Sequence, residues 1–203
     1  MKRLSLLICG MLLCITSLFA QTAESNPVIE TIMARRSIRA YKDQKVENEK
    51  LQLIAKCGIN APNAMNQQKW AIRIVNTPEF INGVSEAYKK SNPQMVARDK
   101  NFKNMFRNAP AIIVVAIPQG GFVDIDAGLL GGNMMLAAQS LGLGTCCLGS
   151  PAGFLNDNPD AKPYLERLQL PEGYKVTYVL AVGYPDEAPQ AKPRDDSKIK
   201  FVE

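Results

Sequence analysis

Three arginines and a serine lie within five residues near the start of the chain, at Arg35, Arg36, Ser37 and Arg39. An arginine guanidinium is planar, stays charged at biological pH and matches phosphate oxygens two at a time, and a serine hydroxyl adds a compact donor. The spacing is therefore suited to holding a phosphate group. A solvated basic turn is the alternative, because clustered charge most often lies on a solvated surface.

A run rich in carboxamide side chains follows at residues 61–70, with the sequence Ala-Pro-Asn-Ala-Met-Asn-Gln-Gln-Lys-Trp. The run has no apolar period, so we expect a loop with many neutral hydrogen-bond donors and acceptors. Such a loop is suited to recognising the polar edge of a heterocycle or a polyol chain. The alternative is an ordinary surface connection.

Two later stretches also carry residues that hold ligands. Residues 142–151 read Gly-Leu-Gly-Thr-Cys-Cys-Leu-Gly-Ser-Pro, which predicts a turn, a short strand and a glycine corner. Gly142 and Gly144 follow a helix pattern and do not link a strand to a helix, so a Rossmann dinucleotide site is excluded. Near the C-terminus, Lys192 and Arg194 form a second small basic cluster.

The chain contains no histidine. This excludes Ser-His and Cys-His nucleophile pairs and also histidine-ligated zinc, and we predict no metal site. The chemistry must therefore come from carboxylates or from a cofactor.

The first twenty residues predict a secretory signal. Lys2 and Arg3 form a positive head, an apolar run follows at residues 4–19, and Ala20 before Gln21 is a plausible cleavage point. The run is shorter than the about 20 apolar residues of a spanning helix. We expect export to the periplasm with no membrane segment in the mature chain, and an uncleaved signal acting as a membrane anchor is the alternative.

Without those twenty residues the chain keeps 22 basic and 19 acidic side chains, a formal charge of +3. This charge is too mild to indicate a nucleic-acid partner. The remaining length suits a single domain, which we place at residues 27–203. Cys57, Cys146 and Cys147 are odd in number and include an adjacent pair, which favours free thiols over a disulfide framework.

Apolar spacing predicts the elements that must position these motifs. A helix begins at Pro27 and ends at the arginine cluster, a second opens at Glu47 or Asn48 and ends at Gly58, and a third starts at Pro78. Strands are predicted at residues 70–75, 109–117 and 176–182, and the unbroken apolar run at 109–117 is typical of a central strand covered on both faces. Residues 91–108 are either a partly helical segment over a site or a solvated helix.

A long helix that contains glycines is predicted after the central strand, capped by Asp124 or Asp126 and reaching Leu141. Glycine inside a helix costs about 1 kcal/mol relative to alanine. Another backbone, a flat ligand or a helix of a homodimer partner must therefore approach this helix closely.

Taken in order, the motifs resemble those of the nitroreductase family of flavoenzymes. The arginine cluster through Ala40 and Tyr41, the carboxamide loop, the Leu-Gly-Leu-Gly-Thr-Cys-Cys-Leu-Gly-Ser corner and the terminal Gly-Tyr-Pro with its basic residues together span residues 27–196. The resemblance implies an α+β fold with a central mixed, largely antiparallel sheet flanked by helices. It also implies a homodimer with FMN at the subunit interface.

The resemblance assigns each motif to a part of FMN. The phosphate and ribityl end would be held by basic and hydroxyl side chains, namely Arg35, Arg36, Ser37, Arg39, Lys192 and Arg194. Residues of the carboxamide loop would line the flavin from the partner subunit or touch the ribityl chain, namely Pro62, Asn63, Ala64, Asn66 and Gln68. Backbone groups at the corner would lie near flavin N5 and O4, at Leu148, Gly149 and Ser150.

The implied activity is that of an NAD(P)H-dependent flavin oxidoreductase. NADH or NADPH would pass hydride to the flavin and leave, and a nitroaromatic, quinone or similar small acceptor would take the same place in a ping-pong mechanism. No side chain would be catalytic, because the flavin carries the chemistry; Arg98 or Lys103 would favour its anionic reduced form. Nicotinamide donors are scarce outside the cell, so the alternative is an exported protein that binds flavin or another planar ligand without NAD(P)H turnover.

Overall fold

The computed structural model describes residues 26–99 and 101–203, so the predicted secretory signal lies outside the described residues. The chain divides into two compact units, one ending at Arg35 and the other spanning Arg36–Glu203. Within the described residues, no helix is both long enough and apolar enough to cross a membrane.

The described part of the first unit is helix α1 (Pro27–Ala34) and the residues beside it. Pro27 begins the helix as predicted, and Asn26 caps it by accepting a hydrogen bond from Val28 N at 2.9 Å. This use of Asn26 fits the general preference for asparagine at helix N-termini. No residue of α1 is buried, and Met33 is 71% exposed.

The second unit is built on a four-stranded sheet of β1 (Ala71–Val75), β2 (Ala111–Pro118), β3 (Gly144–Leu148) and β4 (Tyr174–Gly183). The strand order is β1-β2-β4-β3, and all three strand pairs are antiparallel. All four strands were predicted, and each longer strand differs from its predicted range by at most two residues. A parallel bridge between Ser37 and Thr145 adds to the sheet beside β3.

Helices cover the sheet, which confirms the predicted α+β class. They are α2 (Asn48–Ile59), α3 (Pro78–Ser91), α4 (Pro93–Ala97), α5 (Val123–Ser140), α6 (Ser150–Asp157) and α7 (Lys162–Arg167). Short 3-10 turns lie at Ala64–Asn66, Pro159–Ala161 and Asp196–Lys198. Helix α2 continues one residue past the predicted end at Gly58, and the segment 91–108 is helical only in part.

Two hydrophobic clusters lie on opposite faces of the sheet, because successive side chains of a strand point to opposite sides. Ile112 and Val114 of β2 pack in the cluster that contains Phe80 of α3. Ile113 and Val115 pack in the cluster that contains Leu130 of α5. Strand β2 is thus covered on both faces, as its unbroken apolar run predicts.

Helix α5 departs from prediction at its start. Its N-cap is Phe122, without a side-chain hydrogen bond, so the predicted capping by Asp124 or Asp126 is wrong. The predicted close approach occurs at Gly131, where an added Cβ would lie 2.6 Å from the hydroxyl oxygen of Tyr178. The approaching group is therefore a tyrosine side chain of β4, and its hydroxyl donates to Ala127 O at 2.8 Å.

Candidate cofactor site

The residues after Arg36 run along the edge of β3. Ile38 N donates to Thr145 O at 2.9 Å, beside the bridge between Ser37 and Thr145. Ile38 is buried and packs so closely on Gly144 that an added Cβ there would lie 2.7 Å from Ile38 Cγ1. Arg39 is exposed, and Ser37 is half-buried. The buried isoleucine fixes the backbone and leaves the neighbouring polar side chains accessible.

The segment after β4 holds the same backbone from its other side. The carboxylate of Glu187 accepts hydrogen bonds from the backbone N–H of Arg39 and, at 3.2 Å, from that of Ala40. Asp186 N donates to Ala40 O at 3.0 Å. Residues 37–40 are therefore held between strand β3 and the chain that leaves strand β4.

Tyr41 directly follows residues 37–40 and bonds back to them. The Tyr41 hydroxyl donates to Ile38 O at 2.6 Å. Burial, followed by the charges of Cys146 and Glu187, raises the pKa of Tyr41 above its ordinary value. The hydroxyl thus stays protonated and keeps donating at any biological pH.

A polar cluster links helix α2 to residue 184, just after β4. The Tyr184 hydroxyl donates to Glu47 Oε2 at 2.8 Å and accepts from Lys50 Nζ at 2.7 Å. A hydrogen bond from its own backbone and then the one from Tyr184 lower the pKa of Glu47. The cluster ties the start of α2 to the chain that carries Glu187.

The two basic parts of the predicted phosphate site are placed differently. Ser37 pairs with the edge of β3 and lies in one short segment with Arg36 and Arg39, whereas Lys192 and Arg194 are exposed side chains of the tail beyond Glu187. Arg35 belongs to the first unit, where its N–H donates to Thr31 O at 3.0 Å. At its start the tail contacts the backbone of Arg39 through Glu187. Further along, the side chains of Lys192 and Arg194 face solvent.

The predicted glycine corner forms the other end of β3. Leu148 ends the strand and is buried, whereas Gly149 and Ser150, at the start of α6, are exposed. A Cβ added at Gly149 would meet nothing within 4 Å. Leu148 lies three residues along the strand from Thr145, which corresponds to about 10 Å. Strand β3 therefore has the segment of Ser37 and Arg39 paired beside Thr145, near its start, and an accessible glycine directly after its last residue, Leu148.

The carboxamide loop is folded on itself. Gln68 N donates to Asn63 Oδ1 at 2.9 Å, and Gln68 Nε2 donates to Asn66 Oδ1 at 3.3 Å. Met65, Asn66 and Gln68 have φ values of 52°, 52° and 50°. This left-handed conformation costs a non-glycine residue roughly 1–2 kcal/mol. Pro62, Asn66 and Gln68 are exposed, and Asn63 and Ala64 are half-buried.

Helix α5 anchors this loop. Ala64 N lies 3.1 Å from Oδ1 and 3.2 Å from Oδ2 of Asp126, whose side chain is buried. Sequence patterns indicate neither this contact nor that of Glu187, because both join distant residues. Within the described residues, no group of three or more acidic or cysteine side chains is arranged to hold a metal ion.

The structure resembles solved nitroreductases. It matches a nitroreductase with bound FMN from Desulfitobacterium hafniense DCB-2 at 30% identity and a TM-score of 0.77, covering 88% of this chain and 99% of that one. It matches a nitroreductase with bound FMN from Bacteroides fragilis NCTC 9343 at 29% identity and a TM-score of 0.74, covering 88% of this chain and 100% of that one.

Sequence comparison agrees with the structural likeness. The NADPH-flavin oxidoreductase of Vibrio harveyi is 29% identical over 180 residues, which cover 83% of this chain and 70% of that protein. A profile of the Nitroreductase family matches residues 32–184. These findings confirm the resemblance inferred from the motifs, and the chain belongs to the nitroreductase family.

Proposed function

We propose that this protein is an FMN-dependent oxidoreductase that passes electrons from NADH or NADPH to a small acceptor such as a nitroaromatic compound or a quinone. Its family, the FMN bound in similar structures and the flavin oxidoreductase named among its relatives support this activity. One observation carries the proposal: the segment with Ser37 and Arg39 pairs with strand β3 at Thr145, and an accessible glycine corner lies about 10 Å further along the strand.

The residues present fit FMN in charge and in shape. Arg36, Ser37 and Arg39 supply guanidinium and hydroxyl donors for the phosphate, and the tail would bring Lys192 and Arg194 to the same group. The corner at Leu148, Gly149 and Ser150 is open at Gly149, so a flat ring can approach its backbone. The role of Arg35, in the first unit, stays a prediction from the sequence.

Bound FMN would supply the hydride chemistry, and the protein would supply position and charge. Arginine side chains would neutralise the phosphate, and the fixed backbone of residues 37–40 would set the distance from the phosphate to the corner. The nicotinamide and the electron acceptor would occupy the same open side of the flavin in turn, which gives a ping-pong mechanism. No protein acid or base is required in this scheme.

A second copy of the chain is proposed to complete the site. Phe122, Ile125 and Leu129 are 70%, 60% and 43% exposed, and their spacing puts them on one side of α5. Nothing lies within 4 Å of a Cβ added at Gly128 or Gly132 of the same helix. An apolar surface with this spacing fits a dimer interface. The carboxamide loop, anchored to α5, would then reach the flavin of the partner subunit.

The absorption spectrum of the purified mature protein tests the cofactor. We expect a yellow protein that bleaches with NADH or NADPH without oxygen and regains its colour when a nitroaromatic compound or a quinone is added. Steady-state rates should give parallel double-reciprocal lines. A colourless protein that does not take up FMN contradicts the proposal, and a yellow protein that only dithionite bleaches favours a binding role without NAD(P)H turnover.

We also propose export through residues 1–20, followed by a single mature domain. The proposal rests on the charged head, the apolar run and the cleavage point. Cell fractionation and N-terminal sequencing test it. A mature protein that begins near Gln21 in the periplasm is expected, and a full-length protein in the cytoplasm contradicts export.

A further inference from the structure

Asp126 is a buried carboxylate, only 6% exposed, in the first turn of α5. Both of its oxygens lie near one backbone group, Ala64 N, at 3.1 and 3.2 Å. Burying a carboxylate is costly unless hydrogen bonds compensate it. A negative charge near the helix N-terminus does not require burial, because Asp124 supplies one on the same turn from an exposed position. The burial of Asp126 therefore relates to the loop that it contacts.

The carboxamide loop requires an external restraint. Three of its residues, Met65, Asn66 and Gln68, have positive φ angles, which non-glycine residues keep only where the surroundings determine the conformation. The bonds of Gln68 to Asn63 and Asn66 lie within the loop and do not fix its place on the protein. The bond from Ala64 N to Asp126 joins the loop to an 18-residue helix. The residue that donates this bond, Ala64, directly precedes Met65, the first loop residue with a positive φ angle.

We propose that Asp126 is a positioning residue for the face of the carboxamide loop that contacts the ligand. By holding Ala64 on α5, its carboxylate fixes the neighbouring side chains of Asn63 and Asn66 in one arrangement. The proposal rests on the proposed function, in which this loop lines the flavin. It assigns to Asp126 no contact with the cofactor and no role in proton transfer.

The first test requires no flavin. Hydrogen exchange of the Ala64 amide is followed by NMR in the flavin-free protein. We expect Asp126→Ala to speed this exchange at least tenfold, while Asp126→Asn, which keeps an acceptor oxygen, stays within about threefold of the wild type. Asp124→Ala is the matched control, because it removes the same charge from an exposed position on the same turn. Equal exchange in wild type and Asp126→Ala overturns the proposal.

Ala64→Pro tests the same bond from the donor side, in case Asp126→Ala fails to fold. Proline removes the N–H, and the extended backbone of Asn63, with φ −150° and ψ 157°, is compatible with a following proline. We expect the amides of residues 65–68 to exchange faster in Ala64→Pro than in the wild type. Unchanged exchange of these amides overturns the proposal.

The second test uses the FMN-loaded protein. We expect Asp126→Ala to weaken FMN binding about tenfold and to shift the flavin absorption band, and Asp126→Asn to restore both. The effects of Asp126→Ala and Ala64→Pro should not add in the double variant, since both remove one bond. Equal losses of FMN affinity in Asp126→Asn and Asp126→Ala would show that the charge of Asp126, and not its hydrogen bond to Ala64, supports FMN binding. This result overturns the proposal. Failure of the wild type to bind FMN refutes the proposed function, whereas the exchange result judges the restraint alone.

Discussion

The carboxylate of Glu187 accepts a hydrogen bond from the backbone N–H of Arg39, across a separation of 148 residues. The same oxygen accepts from Ala40 N at 3.2 Å. Glu187 therefore has two opposite effects on a phosphate bound at the arginine cluster. It orders the backbone that presents Arg39, and its negative charge repels the phosphate.

Substitution of Glu187 separates these two effects. Glu187→Ala removes both the acceptor and the charge, and we expect FMN affinity to fall about tenfold, the lower end for a hydrogen bond to a charged group, because the site is exposed. Glu187→Gln keeps an acceptor without the charge, so its affinity should equal or exceed that of the wild type. Fluorescence titration with FMN measures both. Asp186→Asn controls for loss of a neighbouring charge, and equal affinities for the Ala and Gln variants would refute the ordering role.

Arg39 is the exposed guanidinium of the cluster, and its Nη1 donates to Ser37 O at 3.1 Å. We expect Arg39→Ala to weaken FMN binding by about ten- to a hundredfold, the loss of one charge-assisted contact of roughly 1.5–3 kcal/mol. Arg39→Lys should recover part of this loss, since lysine keeps the charge but not the planar fork.

Lys42→Ala is the matched control for Arg39→Ala, because it removes one exposed positive charge three residues away while the Lys42 backbone keeps its bond to Tyr184 O. Equilibrium dialysis at two salt concentrations measures the affinities. Retention of FMN by Arg39→Ala on gel filtration, at the wild-type level, would remove Arg39 from the site.

The parts of the fold that sequence predicts are those with local causes. The unbroken apolar run of β2 indicates a strand covered on both faces, and Pro27 and Pro78 mark helix starts because proline fits the first turn. Asp126 shows the limit of this reasoning. A carboxylate near a helix start is typical of a cap, but the one here bonds to Ala64, 62 residues away. No local pattern says which distant N–H a buried carboxylate will meet.

In the candidate site too, the sequence predicts some properties and not others. Its chemical character follows from residue types, so the arginine cluster and the carboxamide loop are recognisable in the sequence. Their placement depends on pairing between distant segments, such as Ile38 with Thr145. Residue spacing therefore predicts the motifs but not that the segment of Ser37 and Ile38 pairs with the strand that leads to the glycine corner.

The contact between Gly144 and Ile38 allows the strand edge to be tested. A Cβ at Gly144 would lie 2.7 Å from Ile38 Cγ1 and 2.8 Å from its Cβ, and Ile38 is buried. We expect Gly144→Ala to lower the free energy of unfolding by about 1–3 kcal/mol, as overpacking does. It should also weaken FMN binding, because Ile38 lies within the arginine cluster.

Urea unfolding measures the stability effect of Gly144→Ala. Gly153→Ala in α6 is the matched control, since an added Cβ there meets nothing within 4 Å and alanine is favoured in helices by up to about 1 kcal/mol. Ile38→Ala in the Gly144→Ala background removes Cγ1 and Cγ2 of Ile38 but keeps its Cβ, so it relieves part of the clash and should bring back part of the FMN affinity. A Gly144→Ala variant as stable as the wild type would show that Ile38 shifts without cost.

Cys147 reports on the same strand through the pH dependence of its alkylation. Cys147 is exposed, whereas Cys146 is buried. Although the residue is exposed, partial burial of the Cys147 sulfur, followed by the effect of Cys146, raises the pKa of the Cys147 thiol. Because only the thiolate reacts, less of the reactive form is present at a given pH than for an ordinary cysteine, and the labelling rate should reach half its maximum at a higher pH than that of a cysteine in an unfolded peptide. Iodoacetamide labelling followed by peptide mass spectrometry measures this rate, with Cys147→Ser as the control.

FMN should slow the reaction, since Cys147 lies two residues before Gly149. A midpoint no higher than that of the peptide cysteine would mean that the thiol is not shielded, and a rate that FMN leaves unchanged would mean that Cys147 does not lie next to the cofactor.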